Sequence, residues 1–151
     1  MMQTNRFRHR LTKTLVDIMF YGGILTCAAL PLVLPYLMAW QNVQTAFRVQ
    51  YTVVLLSSGL CAVYIMYQLK RMFKTLLGGT PFVAQNVSSL RKCAVASAVI
   101  AGIFLVRQFM WFTIAGSVTV IVFFMLSLFC LTLKDLFKQA VTYKEETDWT
   151  V

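Results

Sequence analysis

"QFMWFTIAGSVTVIVFFMLSLFCLTL", residues 108–133, is an uncharged stretch that lies between Arg107 and Lys134. A helix of about 20 apolar residues can cross the hydrocarbon core of a bilayer, because all its backbone polar groups are bonded internally. The composition of the whole chain agrees, since 59% of its 151 residues are hydrophobic. Only 13% are charged, against about 25% in an average soluble domain. The sequence therefore predicts an integral membrane protein.

Uncharged stretches of similar composition occur at three more places, residues 18–47, 49–69 and 93–106. The last of these is too short to cross a bilayer alone, so its helix must continue through Arg107. We predict one all-α membrane domain over residues 1–151 with four transmembrane helices. The predicted spans are about residues 15–37, 49–69, 93–112 and 115–136, with a cytoplasmic loop at 70–92 and a cytoplasmic tail at 137–151.

The ends of these helices carry further signals. Pro31 and Pro35 are expected to bend or end the first helix, because proline has no N–H to donate along it. The turn near residues 113–117 must be very short, so the last two helices are expected to form a hairpin. The first apolar stretch exceeds the roughly 7 to 15 residues of a signal-peptide core, so we expect a retained helix.

Lys and Arg are distributed unevenly about the predicted spans. Twelve of the fourteen precede the first span, lie between the second and third, or follow the fourth; the other two are Arg48 and Arg107. Cytoplasmic loops carry such an excess, so both termini are expected to be cytoplasmic. The net charge of +9 is explained by this asymmetry and by attraction to anionic lipid headgroups, so direct binding to nucleic acid is not expected.

Residue types that carry most enzyme chemistry are sparse. The four cysteines are scattered without C-x-x-C spacing, and His9 is the only histidine of the sequence. A metal site, a bound cofactor and a catalytic triad are therefore not expected, and we predict that the chain is not an enzyme.

Asp17 and Arg107 are the two charges that intrude on the predicted spans. An intramembrane charge is a candidate for function, but the predicted depths of these two argue against an ion pair between them. Asp17 is favoured near the headgroups by the dipole of the first helix, and Arg107 can extend to the outer surface. A coupling-ion role for Asp17 is the alternative.

Ala94, Ala98 and Gly102 recur every four residues on one face of the third helix. Small residues at this spacing let membrane helices approach closely. The face is expected either to pack within the chain or to form the seam of a homo-oligomer.

"GGTPFVAQNVSSLRK", residues 78–92, fills most of the predicted cytoplasmic loop. The two glycines are expected to end the second helix, Thr80 to cap a new one, and Pro81 to occupy its first turn. Apolar residues from Val83 to Leu90 then follow helical spacing, while polar residues face elsewhere. This pattern predicts an amphipathic helix on the inner surface between the second and third spans, held by the interface or presented to a partner.

"KEETDWTV", residues 144–151, holds three of the five acids of the chain, Glu145, Glu146 and Asp148. Polar and apolar residues alternate over its last four positions, Asp148, Trp149, Thr150 and Val151. Such alternation is typical of an extended segment that lays one face against a surface. We predict that this tail docks on the protein's own inner loop or on a partner, with a solvated tail as the alternative.

Together, "TPFVAQNVSSLRK" and "FKQAVTYKEETDWTV" resemble domain-of-unknown-function family 2975, a group of small bacterial multi-pass membrane proteins. The family pattern has a G-x-P-F segment and an N-V-x-x-L-R run before the third helix, and an acidic E-x-D-hydrophobic-T-V or T-I ending. The matching positions are Gly79, Pro81, Phe82, Asn86, Val87, Leu90, Arg91, Glu146, Asp148, Thr150 and Val151. Trp149 stands where leucine is usual, and Thr147 where asparagine is frequent.

The resemblance implies four helices in the inner membrane of a bacterial cell and no established activity. Members are often encoded beside a small helix-turn-helix transcription regulator, which suggests a membrane protein that works with such a regulator. Two classes of function compete. In one, the loop and the tail bind a cytoplasmic partner through the positions just listed, together with Glu145 and Trp149. In the other, the chain is a small oligomeric transporter or channel subunit, with residues such as Ser57, Ser58 and Gln108 lining a path. We favour the first.

Overall fold

A computed structural model of the chain describes residues 2–40, 45–80 and 82–150, without the side chains of residues 2–10, 45 and 46. The described residues form four α-helices, α1 (Met2–Trp40), α2 (Thr45–Leu77), α3 (Ala84–Met110) and α4 (Ile114–Trp149). Each helix is long and apolar enough to cross a membrane. The prediction of an all-α protein with four membrane helices is confirmed.

Consecutive helices are antiparallel, as the contacts between α1 and α2 illustrate. Asp17 of α1 contacts Lys70 of α2, whereas further along α1 the Cys27 sulfur faces Gly59. Contacts between α2 and α3 and between α3 and α4 follow the same descending order. Among the described residues each helix packs on its neighbours in sequence, so the four helices form an open row with α1 and α4 at its edges.

The up-and-down order brings the start of α1, the α2–α3 connection and the end of α4 to one end of the molecule. We call it the basic end, because it carries the described cations Lys13, Lys70, Arg71, Lys74, Arg91, Lys92, Lys134, Lys138 and Lys144. The opposite end carries Arg48, Arg107 and the α3–α4 turn.

An open row of long helices leaves much apolar surface uncovered. The accessible surface is 10988 Å², whereas a compact soluble protein of this mass exposes roughly 7,800 Å². Leu25, Phe109 and Phe129 on the outer faces are each more than 60% exposed. Exposed apolar surface of this extent belongs against lipid, which fits four membrane-spanning helices.

All four helices extend beyond the predicted spans at the basic end. They reach it at Met2, Leu77, Ala84 and Trp149, against predicted limits of 15, 69, 93 and 136. A charge marks where the hydrocarbon ends but does not stop a helix, since Lys, Arg and Glu are good helix formers. The predicted loop at 70–92 is therefore mostly helical.

α1 continues through Pro31 and Pro35 to Trp40, so these prolines do not end the helix, and a bend there stays a prediction. Each proline lacks an N–H, which leaves the carbonyl four residues earlier without its helical partner. In lipid the helix persists because unwinding would expose further backbone groups that nothing in the hydrocarbon can bond.

α3 is the most buried helix, because α2 packs on one side of it and α4 on the other. Its inward positions are mostly small or polar: Asn86, Ser89, Leu90, Cys93, Ala94, Ala96, Ser97, Ile100 and Ala101. Such residues let helices come close in lipid and bond across the interface. Ser127 of α4, for example, donates to the Ala94 carbonyl at 2.9 Å.

The small residues Ala94, Ala98 and Gly102 do not form one packing face within the chain. Ala94 is buried, but Ala98 and Gly102 are exposed, and a Cβ built on Gly102 meets open space. The prediction of intramolecular packing is wrong for these two positions, because both neighbours of α3 contact the adjacent faces. A seam between copies stays a prediction.

The α3–α4 turn is Trp111–Thr113, which confirms the predicted hairpin. Gln108 fastens it, since its amide nitrogen Nε2 donates to the Thr113 carbonyl at 2.9 Å and to the Ser117 hydroxyl at 2.7 Å. Gly116 lies directly over this amide, and a Cβ built there would be 2.5 Å from the Gln108 Oε1 atom.

We expect Gly116→Ala to destabilise the fold by about 1–2 kcal/mol, because the added methyl group displaces Gln108 from its hydrogen bonds. Gly102→Ala is the matched control. It adds the same methyl group in open space and should be neutral or stabilising by up to about 1 kcal/mol. Reversible unfolding in mixed detergent micelles measures both, and equal effects of the two variants would contradict this account of the turn.

Candidate functional site

The connection between α2 and α3 depends on Gly79, whose φ of 78° lies in the left-handed region. α2 ends at Leu77, as the glycine pair predicts. The Gly79 N–H then donates to the Leu76 carbonyl at 3.3 Å, and the Thr80 N–H donates to the Thr75 carbonyl at 3.2 Å. These paired bonds form a Schellman motif, which needs a left-handed residue after the helix. A side chain would strain this position, and so the G-x-P-F segment begins with glycine.

α3 begins later than the sequence suggests, and Thr80 does not cap it. Val83 precedes its first residue, Ala84, with extended backbone and no side-chain hydrogen bond to the helix end. Residues 84–92 are the first turns of α3 rather than a separate helix lying on the inner surface. Pro81 lies outside the described residues.

The predicted polar face of this helix is wrong at Asn86. It is fully buried, and its Oδ1 lies 2.8 Å from the Thr75 hydroxyl of α2. Leu90, one turn further, is 5% exposed. Both residues hold α3 against its neighbours and cannot reach a partner. Of the other two residues of the N-V-x-x-L-R run, Val87 is half-buried and Arg91 is exposed.

The acidic tail is helical, so the prediction of an extended docking segment is wrong. α4 continues to Trp149, and Thr150 ends it with its N–H bonded to the Thr147 carbonyl. The uncharged part of α4 ends at Leu133, and the remaining residues extend roughly 24 Å beyond it at 1.5 Å per residue. Lys and Glu favour helix, and four alternating residues do not outweigh the helix that precedes them. Val151 lies outside the described residues.

The end of α4 packs against the α2–α3 connection. The rings of Phe82 and Phe137 are 5.5 Å apart between centroids. Beside them is a cleft of about 260 Å³, which we call the loop–tail cleft; its lining includes Phe82, Val83, Val141, Lys144, Glu145 and Asp148. The two sequence motifs of the chain, far apart along it, therefore meet at the basic end.

The helical tail places its three acids on two different faces. Glu145 and Asp148 line the loop–tail cleft, whereas Glu146 is turned about 100° from Glu145 around the helix. All three are exposed, as is Trp149, with 89% of its surface accessible. Among the described residues no cation lies within 4.0 Å of these carboxylates, so their charges are available to a ligand.

The two intramembrane charges lie at opposite ends of the molecule. Asp17 accepts a hydrogen bond from Lys70 across a 2.8 Å ion pair at the basic end. Arg107 does not extend to the surface; it is 9% exposed and its guanidinium lies 4.2 Å from the Tyr51 ring centroid. The prediction that they do not pair is confirmed. The partner of Asp17 was missed, because it depends on the register of α1 against α2.

Cys93 and Cys130 pack against each other between α3 and α4, with Ala94 beside them. All four cysteines are free thiols, and Cys61 is the least buried of them. Within the part of the chain that the structure describes, no three His, Cys, Asp or Glu side chains are grouped closely enough to hold a metal ion.

These features define a membrane protein with four spanning helices, whose α2–α3 connection and α4 end meet at the basic end. A family model described as "Protein of unknown function (DUF2975)" matches residues 32–151, and the chain belongs to this family. The match begins within α1 and includes both motifs. No curated protein and no solved structure matches the chain.

Phe82→Ala should loosen the end of α4 from the loop. An aromatic pair contributes about 0.5–1.5 kcal/mol, so amide hydrogen exchange in residues 137–145 should become about 2- to 12-fold faster. Tyr143→Ala is the matched control, because it removes a 70% exposed aromatic ring from the same helix end. Exchange that is unchanged by Phe82→Ala, or equally faster in both variants, would show that the ring pair does not hold the cleft together.

Proposed function

We propose that the protein is a non-enzymatic regulatory membrane protein that binds a cytoplasmic partner at the loop–tail cleft. The observation that supports the proposal best is the meeting of the two family motifs, at the contact between Phe82 and Phe137. A purely structural connection would need neither the carboxylates of Glu145 and Asp148, which have no cation within 4.0 Å among the described residues, nor the exposed Trp149 next to them. The resemblance to the family suggests a helix-turn-helix transcription regulator as the partner.

Charge supports a regulator as the ligand of this site. A protein that binds DNA carries a basic surface that contacts phosphates. Glu145 and Asp148 offer it carboxylates at the cleft, and Trp149 offers a large apolar anchor of the kind that often dominates an interface. A regulator held in this way has its DNA-contacting surface covered, so membrane binding and DNA binding exclude each other.

Such an interaction is reversible by its nature. An ion pair in water contributes about 0–1 kcal/mol, and its contribution falls as salt screens the charges. The regulator would therefore leave the membrane when a modest change weakens either surface, and it would return just as readily.

We also propose that the basic end faces the cytoplasm of a bacterial cell and that the helices cross its inner membrane. The described cations gather at this end, and cytoplasmic faces of membrane proteins carry such an excess. Both termini, the loop–tail cleft and the α2–α3 connection would then be accessible to a cytoplasmic protein.

Binding is tested by capturing a purified helix-turn-helix regulator, of the kind that members of the family are often encoded beside, on nanodiscs that carry the full chain. Neutralising the cleft with Glu145→Gln and Asp148→Asn should weaken capture about 5- to 30-fold, the effect of losing two pairs of 0.5–1 kcal/mol each. The matched control is Asp135→Asn with Glu146→Gln, which removes the same charge from the same helix outside the cleft. It should weaken capture less than threefold.

The same experiment has outcomes that overturn the proposal. Equal weakening by both double variants would show that the regulator is attracted by the overall negative charge of α4 and not by the loop–tail cleft. Nanodiscs that carry the unsubstituted chain could also capture no regulator. If reconstituted vesicles then show a solute flux that Asp17→Asn abolishes, the protein is a transporter.

Orientation is tested by single cysteines in a chain whose own four cysteines are replaced by alanine. Gln139→Cys lies on exposed α4 at the basic end, and Phe112→Cys lies in the α3–α4 turn, where the side chain is 78% exposed. A maleimide that cannot cross membranes should label Phe112→Cys in intact spheroplasts and Gln139→Cys only in inverted vesicles. The reverse pattern would place the basic end outside.

A further inference from the structure

A second and larger cleft opens at the basic end, on the side of the row away from α4. It lies between α1, α2 and the first turn of α3, and its volume is about 580 Å³. Its lining includes four cations, Lys13 from α1 and Lys70, Arg71 and Lys74 from α2. We call it the cationic cleft. The proposed regulator site does not include any of these residues.

One of the four cations is already neutralised within the protein. The Lys70 ammonium pairs with Asp17 at 2.8 Å and lies 5.0 Å and 4.9 Å from the ring centroids of Phe20 and Tyr21. This pair joins α1 to α2 in the wall of the cleft.

The other three cations are not neutralised. Lys13, Arg71 and Lys74 are exposed, and among the described residues no carboxylate lies within 4.0 Å of them. α3 contributes an uncharged side chain, Gln85, to the lining. Positive charge from two helices therefore converges on one cavity, and Asp17, the one acid among the described residues that line it, is already paired.

The cleft lies at the depth of the lipid headgroups. The uncharged part of α1 begins just after Asp17, and that of α2 ends just before Lys70. Its walls are also partly apolar, with Val16, Phe73 and Leu77 among the lining residues. A cavity that combines cations with apolar walls at this depth suits a ligand with an anionic head and a hydrocarbon body.

We propose that the cationic cleft binds the phosphate group of an anionic phospholipid. Arg71 can donate two parallel hydrogen bonds to phosphate oxygens, and Lys13 and Lys74 supply point charges from opposite sides of the cleft. The acyl chains lie along the apolar walls. Because α1 packs on α2 alone among the described helices, a phosphate bridged between them clamps the edge helix to the row.

Delipidated full-length protein in a neutral detergent tests the proposal. A ligand that binds only the folded chain raises its thermal unfolding midpoint. Phosphatidylglycerol should raise it by several degrees, while phosphatidylcholine, which has a phosphate but no net charge, should give less than half that shift. Inorganic phosphate at the same concentration tests whether the ligand is a free phosphate ion or a lipid headgroup. It should give almost no shift of the unfolding midpoint. An equal shift with inorganic phosphate would overturn the lipid as the ligand.

Two charge-matched triple variants locate the site. Lys13→Gln, Arg71→Gln and Lys74→Gln together should weaken binding of phosphatidylglycerol, measured by native mass spectrometry, at least tenfold. Arg91→Gln, Lys92→Gln and Lys138→Gln remove the same charge from the same end, and binding should change less than threefold. Equal weakening by both triples would mean diffuse attraction without a site, and would overturn the proposal.

Asp17→Asn supplies a test with the opposite sign. It releases Lys70 and adds one positive charge to the cleft, so phosphatidylglycerol should bind at least twofold tighter even though the lipid-free chain loses an ion pair. Weaker binding by this variant would contradict a site that recognises negative charge. Capture of the regulator should not change in Asp17→Asn or in the triple variant of Lys13, Arg71 and Lys74, since none of these residues lines the loop–tail cleft. The two proposals can therefore fail independently.

Discussion

A polypeptide in hydrocarbon has only itself to satisfy its backbone amides, and the rest of this structure depends on that constraint. It keeps α1 helical through Pro31 and Pro35, where a helix in water would be expected to break. It also removes the hydrophobic force that would press helices together, so contact between them depends on close approach and hydrogen bonds. α3 supplies both, because its inward side chains are small or polar, and it therefore holds the centre of the row.

The central position of α3 divides the family motifs into two physical roles. Gly79 and Asn86 serve the architecture, one by taking a left-handed backbone conformation and the other by bonding to α2 while fully buried. Phe82 and Asp148 line a cleft that is open to solvent, together with Glu145, which is not a position of the family pattern. A sequence pattern treats these residues alike, since both roles restrict the residue type. Only burial separates a residue that builds the site from one that a ligand can contact.

The number of helices could be predicted because a charge in hydrocarbon is costly whatever packs around it. The rotation and register of each helix could not, since they depend on neighbours. For this reason packing within the chain was wrongly predicted for Ala98 and Gly102, and the pair between Asp17 and Lys70 was missed. Asn86, Ser89 and Ser97 recur on one face of α3, and all three are buried. This repeat was readable in the sequence, and it would have identified the buried face correctly. At the site, the exposed acids were predictable from composition, but their arrangement on a helix was not.

The two ends of the molecule differ in how tightly their side chains are held by the rest of the protein. At the opposite end, Gln108 donates two hydrogen bonds across the turn, Arg107 stacks on Tyr51, and Trp111 packs edge-on against Phe47 at 4.5 Å. These described side chains are therefore engaged within the protein. At the basic end, every described side chain from residue 142 to residue 150 is exposed. The last turns of α4 are thus held by their own helical bonds and by one ring contact further back, the pattern of a segment with a low free energy of local opening. A ligand at this end can reorganise the chain locally without disturbing the packing of α3. Binding there therefore requires less loss of folding free energy than binding at the opposite end would.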